Sequence, residues 1–262
     1  MKRIYTDSKM ATRLTPADIL QQQLDRLGVT RPGDVGWVHA ANKRAKLEAA
    51  LIDPAVHFVE GDISLGENGQ IIMAHPPATT SDLSITDWLH ATIAAGKGAK
   101  LDFKSPAVVE PCLIQAKRHA LGHIPLIVNA DLLLGPGGEP PIFDPADFLA
   151  LHQKHLPQAI LSPGWRVGDN GTSYSREMLT EMRELLRPVA GAVTLCFHAW
   201  LLFTSWPDVK WLLDQTPYTI TVWGKVDSPE LLGWLRKYTN PDRCFYDVQD
   251  AQGNQLAVIS EQ

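Results

Sequence analysis

The chain has 262 residues, 45% of them hydrophobic and 20% charged, with a formal net charge of -5 at pH 7. That length and apolar content support one large buried core, and the acidic balance argues against an extended nucleic-acid surface. No stretch approaches the roughly 20 apolar residues of a membrane span, and Cys112, Cys196 and Cys244 are an odd number without CxxC spacing, which argues against a disulfide framework or a structural zinc site.

The opening residues MKRIYTDSKMATRLTPADIL contain no apolar leader core, so a cytoplasmic location is expected. Thr15–Leu27 reads as an amphipathic helix that plugs the bottom of a barrel. The first strand-like run is Gly36–Ala40, followed by a helix over Lys43–Leu51. The second, Val56–Asp62, leads into ISLGENGQIIMAH, whose Asn-Gly pair predicts a β-hairpin that carries His75 back over the strand ends. A helix over Ile85–Ala95 precedes the third strand, Lys100–Lys104. Then follow a helix over Val108–Leu121, a strand Leu126–Asp131, a helix Asp147–Leu156 and a strand Ala159–Ser162. The last quarter reads helix Arg176–Leu186, strand Val193–His198, helix Asp208–Leu213, strand Thr219–Trp223, helix Glu230–Tyr238 and strand Cys244–Asp247, with a short terminal strand over Gly253–Ser260. Ser84, Ser105-Pro106, Asp144-Pro145, Ser175, Ser205 with Pro207, and Ser228-Pro229 mark helix starts. Eight strands alternating with helices predict an α/β chain that forms a single (β/α)8 TIM-type barrel over residues 1–262. Leu134–Pro141 and Ser162–Ser173 are the longest structureless stretches, and both follow strands.

Six polar residues stand at the ends of the first three strands or on the hairpin: His39, Glu60, Asp62, His75, Asp102 and Lys104. Alternate side chains of a strand share a face, so Glu60 points with Asp62 and Asp102 with Lys104. Charged groups on otherwise apolar strands need a partner or an ion. They fit either a hard divalent cation or ordinary salt bridges to Lys104 or Lys225. His39 and His75 suit proton transfer, and Lys104 suits a phosphate clamp, a Schiff-base nucleophile or an ion pair. Asn129 and Asp131 share a face at the end of the fourth strand. His198, Trp223 and Lys225 end the sixth and seventh, while Arg166 and Tyr174 lie in the fifth loop as candidate substrate contacts. His57, His90, His119, His123, His152 and His155 read as structural or solvated. There is no GxGxxG after a strand, no GxxxxGK[ST], no HExxH and no GxSxG, which removes the main supports for nicotinamide, nucleotide-triphosphate, zinc-protease and α/β-hydrolase chemistry.

The segments HAANKRAKLEAAL, EGDI, IMAHPPATTSDLSITDWL and GAKLDFKS resemble the menorin family over almost the whole chain. That family is similar in turn to the phospholipase C-like phosphodiesterases, distorted (β/α)8 barrels that include glycerophosphodiester phosphodiesterases and spider sphingomyelinase D. The shared pattern is a histidine ending strand one, E-x-D ending strand two, a second histidine soon after, and D-x-K or E-x-K ending strand three. His39, Glu60 with Asp62, His75, and Asp102 with Lys104 fill these places in order. The toxin-like members add H-x-x-N and a strand-seven tryptophan followed by V-D, matched by His39 with Asn42 and by Trp223 with Val226-Asp227. The resemblance implies that Glu60, Asp62 and Asp102 hold Mg2+ or Ca2+, with Mn2+ as a substitute. It implies also that His39 and His75 act on the phosphodiester, and that Lys104 and Trp223 line the phosphate pocket. The H-R-G triplet of the glycerophosphodiesterases is absent, and their H-D pair is His75-Pro76 here.

The expected activity is therefore a metal-dependent phosphodiesterase of the phospholipase C-like kind. Its expected partner is a small soluble phosphodiester, with a nucleotide- or sugar-derived cyclic phosphate as a candidate; the oligomeric state is left open. Two other readings stand beside it, an aldolase using Lys104 as a Schiff base and a noncatalytic barrel binding a phosphorylated ligand or a protein. Trp223 and Lys104 are expected to face each other across the substrate.

Overall fold

The computed structural model describes residues 14–259; the reading of the first thirteen residues lies outside that range. Nine strands are described: β1 (Trp37–Val38), β2 (Phe58–Leu65), β3 (Ile71–Met73), β4 (Gly98–Phe103), β5 (Leu126–Leu134), β6 (Ile160–Arg166), β7 (Thr194–His198), β8 (Thr219–Lys225) and β9 (Cys244–Gln249). They pair in the orders β1-β2-β4-β5-β6 and β7-β8-β9, all in parallel except β3. That strand returns antiparallel on β2 with Ile63 opposite Met73 and Leu65 opposite Ile71. Its turn is closed by Gly66 N–H donating to the Gln70 carbonyl at 2.8 Å, and Gly69 takes a φ of 73° that favours glycine.

Both seams between the two sheets have a chemical cause. Leu161 N–H donates to the Ala192 carbonyl at 2.9 Å, and Leu161 bridges Val193 in parallel. Pro163, next on that edge, has no N–H to continue the ladder. At the other seam no ladder between β9 and β1 is described. The Trp37 ring instead stands edge-on to Phe245 at 5.8 Å, and Gly33 N–H donates to the Pro241 carbonyl at 2.8 Å. The eight parallel strands thus make a barrel-like ring held at this seam largely by side chains.

The helices α1 (Pro16–Leu27), α2 (Arg44–Ile52), α3 (Ile85–Ala94), α4 (Val109–His119), α5 (Pro145–His155), α6 (Arg176–Leu186), α7 (Ala199–Asp214) and α8 (Pro229–Tyr238) alternate with the strands. Ser84, Asp144, Ser175 and Ser228 each accept a hydrogen bond from the backbone N–H three residues on, a cap that contributes about 1 kcal/mol. α7 departs from the sequence expectation, because it begins at Ala199 rather than Asp208 and carries Pro207 inside. The side-chain hydroxyl of Ser205 donates to the Leu201 carbonyl at 2.6 Å in this turn. β6 likewise runs on through Ser162-Pro163-Gly164, which reads in sequence as loop. The expected strand over Gly253–Ser260 is reduced to one bridge between Gln249 and Gln255, with Ser260 outside the described residues.

The strands sort their side chains by parity. Outward residues such as Val59, Leu101, Phe103 and Val128 pack under the helices. Inward residues form a second cluster at the N-terminal ends, where Trp37, Phe58, Ile127, Ile160 and Phe245 meet Ile19 and Leu24 of α1. Gly98 lies beside Phe58 in register, and a Cβ there would fall 2.6 Å from the Phe58 ring, so the glycine makes room for the plug. Burying such a side chain stabilises by about 2 kcal/mol. Gln23 of α1 ties the floor down by accepting from Leu126 N–H at 3.2 Å and donating to the Gln158 carbonyl at 3.3 Å.

Candidate active site

Above this apolar floor the inner face turns polar. Register sets Glu60 beside Lys100, Asp62 beside Asp102, and Asp102 beside Asn129, so parity alone brings the charges together. β1 is short because the chain turns at Ala40, which has a φ of 50°. The Ala40 N–H donates to Glu60 Oε2 at 2.6 Å, and the Ala41 N–H donates to the Glu60 carbonyl at 2.7 Å. Asn42 then clasps Asp62 twice: its Nδ2 donates to Asp62 Oδ2 at 2.6 Å, and its Oδ1 accepts from the Asp62 N–H at 2.9 Å.

Lys104 donates to Asp102 Oδ2 at 2.8 Å and stands 3.4 Å from Asp62 Oδ1. The other oxygen of Asp102 accepts from Asn129 Nδ2 at 2.8 Å. Asn129 is fixed in that sense because its own Oδ1 accepts from Ser162 Oγ at 2.7 Å and from the Cys196 thiol at 2.9 Å. Across the ring, His39 Nδ1 lies 3.0 Å from Asp247 Oδ2 and 3.4 Å from Glu60 Oε2, and the buried Lys100 ammonium is 3.6 Å from Asp247.

The electrostatics follow from burial opposed by neighbours. The Asp247 carboxylate, against the desolvation of the ring and with help from Glu60, raises the His39 pKa to about 10, so its imidazole is protonated at neutral pH. Burial raises Glu60 to about 7, more than the nearby His39 charge restores. Burial likewise raises Asp131 to about 6. Asp102 is also desolvated, yet Lys104 and Lys100 outweigh that and hold it below its ordinary range. Desolvation works against the ammonium of Lys104, but Asp102 and Asp62 keep its pKa above the ordinary value. With every group ionised, the five carboxyl groups Glu60, Asp62, Asp102, Asp131 and Asp247 would outnumber the two ammoniums and one imidazolium by two charges, an excess that protonation of Glu60 relieves in part. One oxygen each from Glu60, Asp62 and Asp102 lies within 4.8 Å of the others. Glu60 Oε1 is buried without a hydrogen-bond partner among the described residues. An oxygen donor set with an unspent buried oxygen, in which a bound cation would favour the ionised form of Glu60, fits a hard divalent cation.

The other sequence candidates are distributed unevenly. His75 is exposed two residues past β3, and its Nδ1 lies 2.7 Å from the Pro76 carbonyl, so this nitrogen carries the proton and donates, while no partner of Nε2 is described. No contact of His75 with the carboxylates is described. Arg166 donates to the Pro140 carbonyl at 2.8 Å and ties the two long loops together, and Lys225 is exposed at the end of β8. Tyr174 corrects the sequence expectation of a substrate contact. It is 1% exposed, packed on Trp165 and Phe197, and its hydroxyl accepts from His198 N–H at 3.1 Å. Trp223 stands edge-on to His198, with ring centroids 4.9 Å apart. Sequence reasoning missed Lys100, Asp247, Ser162 and Cys196. The parity that joins Asp102 to Lys104 also reaches back to Lys100, and Asp247 ends the last strand-like run, so both were signalled.

Comparison with known proteins bears on this architecture. The solved structure of tryptophan synthase from M. tuberculosis, in its open form with BRD0059 bound, superposes with a TM-score of 0.52 at 16% identity over 88% of this chain and 86% of that one. At that identity the likeness shows the fold alone, an α/β barrel-like chain with a parallel sheet. Among sequences, Protein FAM151B of Homo sapiens is 36% identical over 238 residues, 85% of either chain. Residues 33–253 match the Menorin N-terminal domain family, a span that includes every member of the polar cluster. The chain belongs to the menorin family.

Proposed function

We propose that the chain is a metal-dependent phosphodiesterase acting on a small soluble phosphodiester, with nucleotide- or sugar-derived cyclic phosphates as the candidate class. The observation that carries this reading is the approach of Glu60, Asp62 and Asp102 to within 4.8 Å of one another, beside an ion-paired Lys104 and a protonated His39. The architecture it assumes is a phospholipase C-like (β/α)8 barrel with the β2–β3 pair as its insertion.

Glu60, Asp62 and Asp102 would hold Mg2+ or Ca2+, with Mn2+ as a substitute. A bound cation would supply positive charge against the nonbridging phosphoryl oxygens. Lys104, anchored by two carboxylates, adds a second positive charge aimed at the same oxygens. His39 holds its Nδ1 proton on Asp247, so Nε2–H is the proton it can give to a leaving oxygen. His75 spends Nδ1–H on the Pro76 carbonyl, which leaves Nε2 as the lone pair that can take a proton from the attacking hydroxyl or water. The aldolase reading needs a neutral Lys104 amine, whereas Asp102 and Asp62 stabilise its charged form.

The test is a panel of linear and cyclic phosphodiesters incubated with Mg2+, Mn2+, Ca2+ or chelator and followed by phosphorus NMR. Cation-dependent hydrolysis supports the reading. Cation binding without turnover of any member leaves the binding-only barrel, and turnover of a carbonyl substrate in chelator with a borohydride-trapped Lys104 supports the aldolase.

A further inference from the structure

The ring of inward residues is divided by polarity. The β1, β2, β4 and β5 side carries His39, Asp62, Asp102, Lys104 and Asp131, while the β7–β8 side carries His198 and Trp223, paired in register. Trp223 is also paired with Asp247 on β9, the residue that holds His39, so the aromatic corner adjoins the charged half. We propose that this corner is a subsite for a heteroaromatic base, so that the phosphodiester cleaved here is a nucleotide; the inference rests on the phosphodiesterase reading for the chemistry of the other half.

Four features make the corner a built surface. The His198 and Trp223 rings stand at 76° with centroids 4.9 Å apart, an edge-to-face pair. Gly224 has a φ of 101°, and a Cβ there would lie 2.8 Å from His198 Cδ2 and Nε2, so the glycine lets the imidazole lie against the β8 backbone. The His198 backbone N–H is anchored by the buried Tyr174 hydroxyl at 3.1 Å. Neither ring nitrogen of His198 nor Trp223 Nε1 has a hydrogen-bond partner described, and both residues are only partly buried. Burial keeps the His198 imidazole below its ordinary pKa, so at neutral pH it offers one donor and one acceptor nitrogen. A planar group with both kinds of polar edge matches that pair; an acyl chain leaves the nitrogens unsatisfied.

The experiment compares binding of adenosine monophosphate, ribose 5-phosphate and adenosine to the full chain by calorimetry and ligand-observed NMR. The variants are Trp223→Ala, Trp223→Phe, His198→Ala and Lys104→Met. The nucleotide is expected to bind at least 10-fold more tightly than the sugar phosphate, a difference that Trp223→Ala removes and Trp223→Phe largely keeps. Should Trp223→Ala not fold, His198→Ala is expected to reduce the same preference several-fold. Equal binding of the two phosphates, or a preference that survives both Trp223→Ala and His198→Ala, overturns the base subsite. Sensitivity of ribose 5-phosphate binding to Lys104→Met then speaks separately for the phosphate half. Binding of adenosine that depends on Trp223, with no binding of either phosphate, sustains the subsite and removes the phosphodiesterase reading; no binding of any of the three removes both.

Discussion

His39 Nδ1 lies 3.0 Å from Asp247 Oδ2, so the chain just past β1 is fastened to β9 at a seam where no backbone ladder is described. One contact thus serves closure of the ring and the orientation of an imidazole. Asp247 is fully buried, its second oxygen has no partner among the described residues, and it is also the carboxylate 3.6 Å from Lys100. Asp247→Asn is expected to lower stability by about 3 kcal/mol, because a buried ammonium loses its counter-charge. It is also expected to return the His39 pKa from about 10 toward 6.5, since the Asp247 charge is the largest cause of the rise. Histidine NMR titration of the variant checks this; an unshifted His39 would remove Asp247 from its control.

The two kinds of site residue are expected to separate kinetically. His39→Ala and His75→Ala should each lower turnover by about 10²-fold or more, while cation affinity stays within a few-fold. Glu60→Gln and Asp102→Asn should weaken cation binding first, with turnover recovering at higher cation concentration. Lys104→Met keeps the stem but loses the charge, and should lower kcat more than it raises KM. Near-normal turnover in both histidine variants on a verified substrate would take them out of the mechanism.

A pH dependence is built into α5. His152 is 3% exposed, its Nε2 has no partner among the described residues, and burial lowers its pKa from 6.5 to about 4. The unfolded chain therefore binds a proton between these values that the folded chain refuses. The stability this contributes is complete above pH 6.5 and is lost as pH falls toward 4, by about 3 kcal/mol across the window. Urea unfolding at pH 7 and pH 4.5 should show His152→Gln to be less acid-sensitive than the native chain. Equal sensitivity would place the acid lability elsewhere.

Gly98→Ala tests the floor of the ring. The new Cβ meets the Phe58 ring at 2.6 Å, and that ring is itself packed in the buried floor cluster, so a loss of about 1–3 kcal/mol is expected. A thermal midpoint equal to the native one would mean that Phe58 has room to turn.

The parts of this architecture legible in the sequence are those written in parity and caps. Glu60 with Asp62, and Asp102 with Lys104, follow from a period of two, and Ser84, Asp144, Ser175 and Ser228 mark four helix starts correctly. Proline misled the reading twice. Pro163 reads as the end of a strand, but it interrupts only the edge toward β7 while β6 continues against β5; Pro207 reads as a helix start, but α7 runs through it. Tyr174 illustrates a third limit: a loop aromatic looks exposed until tertiary packing buries it on Trp165 and Phe197. Parity places Lys100 on the face of Asp102 and Lys104, but not how deep in the ring it lies. Only the ring of inward neighbours shows why it is buried against Asp247 and within 5.9 Å of the Trp37 ring centroid.

The most direct measurement is anomalous diffraction from crystals of the full chain grown with Mn2+, recorded for the native protein and for Asp102→Asn. One strong peak is expected among Glu60, Asp62 and Asp102, with metal–oxygen distances of about 2.0–2.6 Å, and its loss or marked weakening in Asp102→Asn. Saturating Mn2+ with no peak there, and Lys104 still joining Asp62 to Asp102, would contradict the cation site.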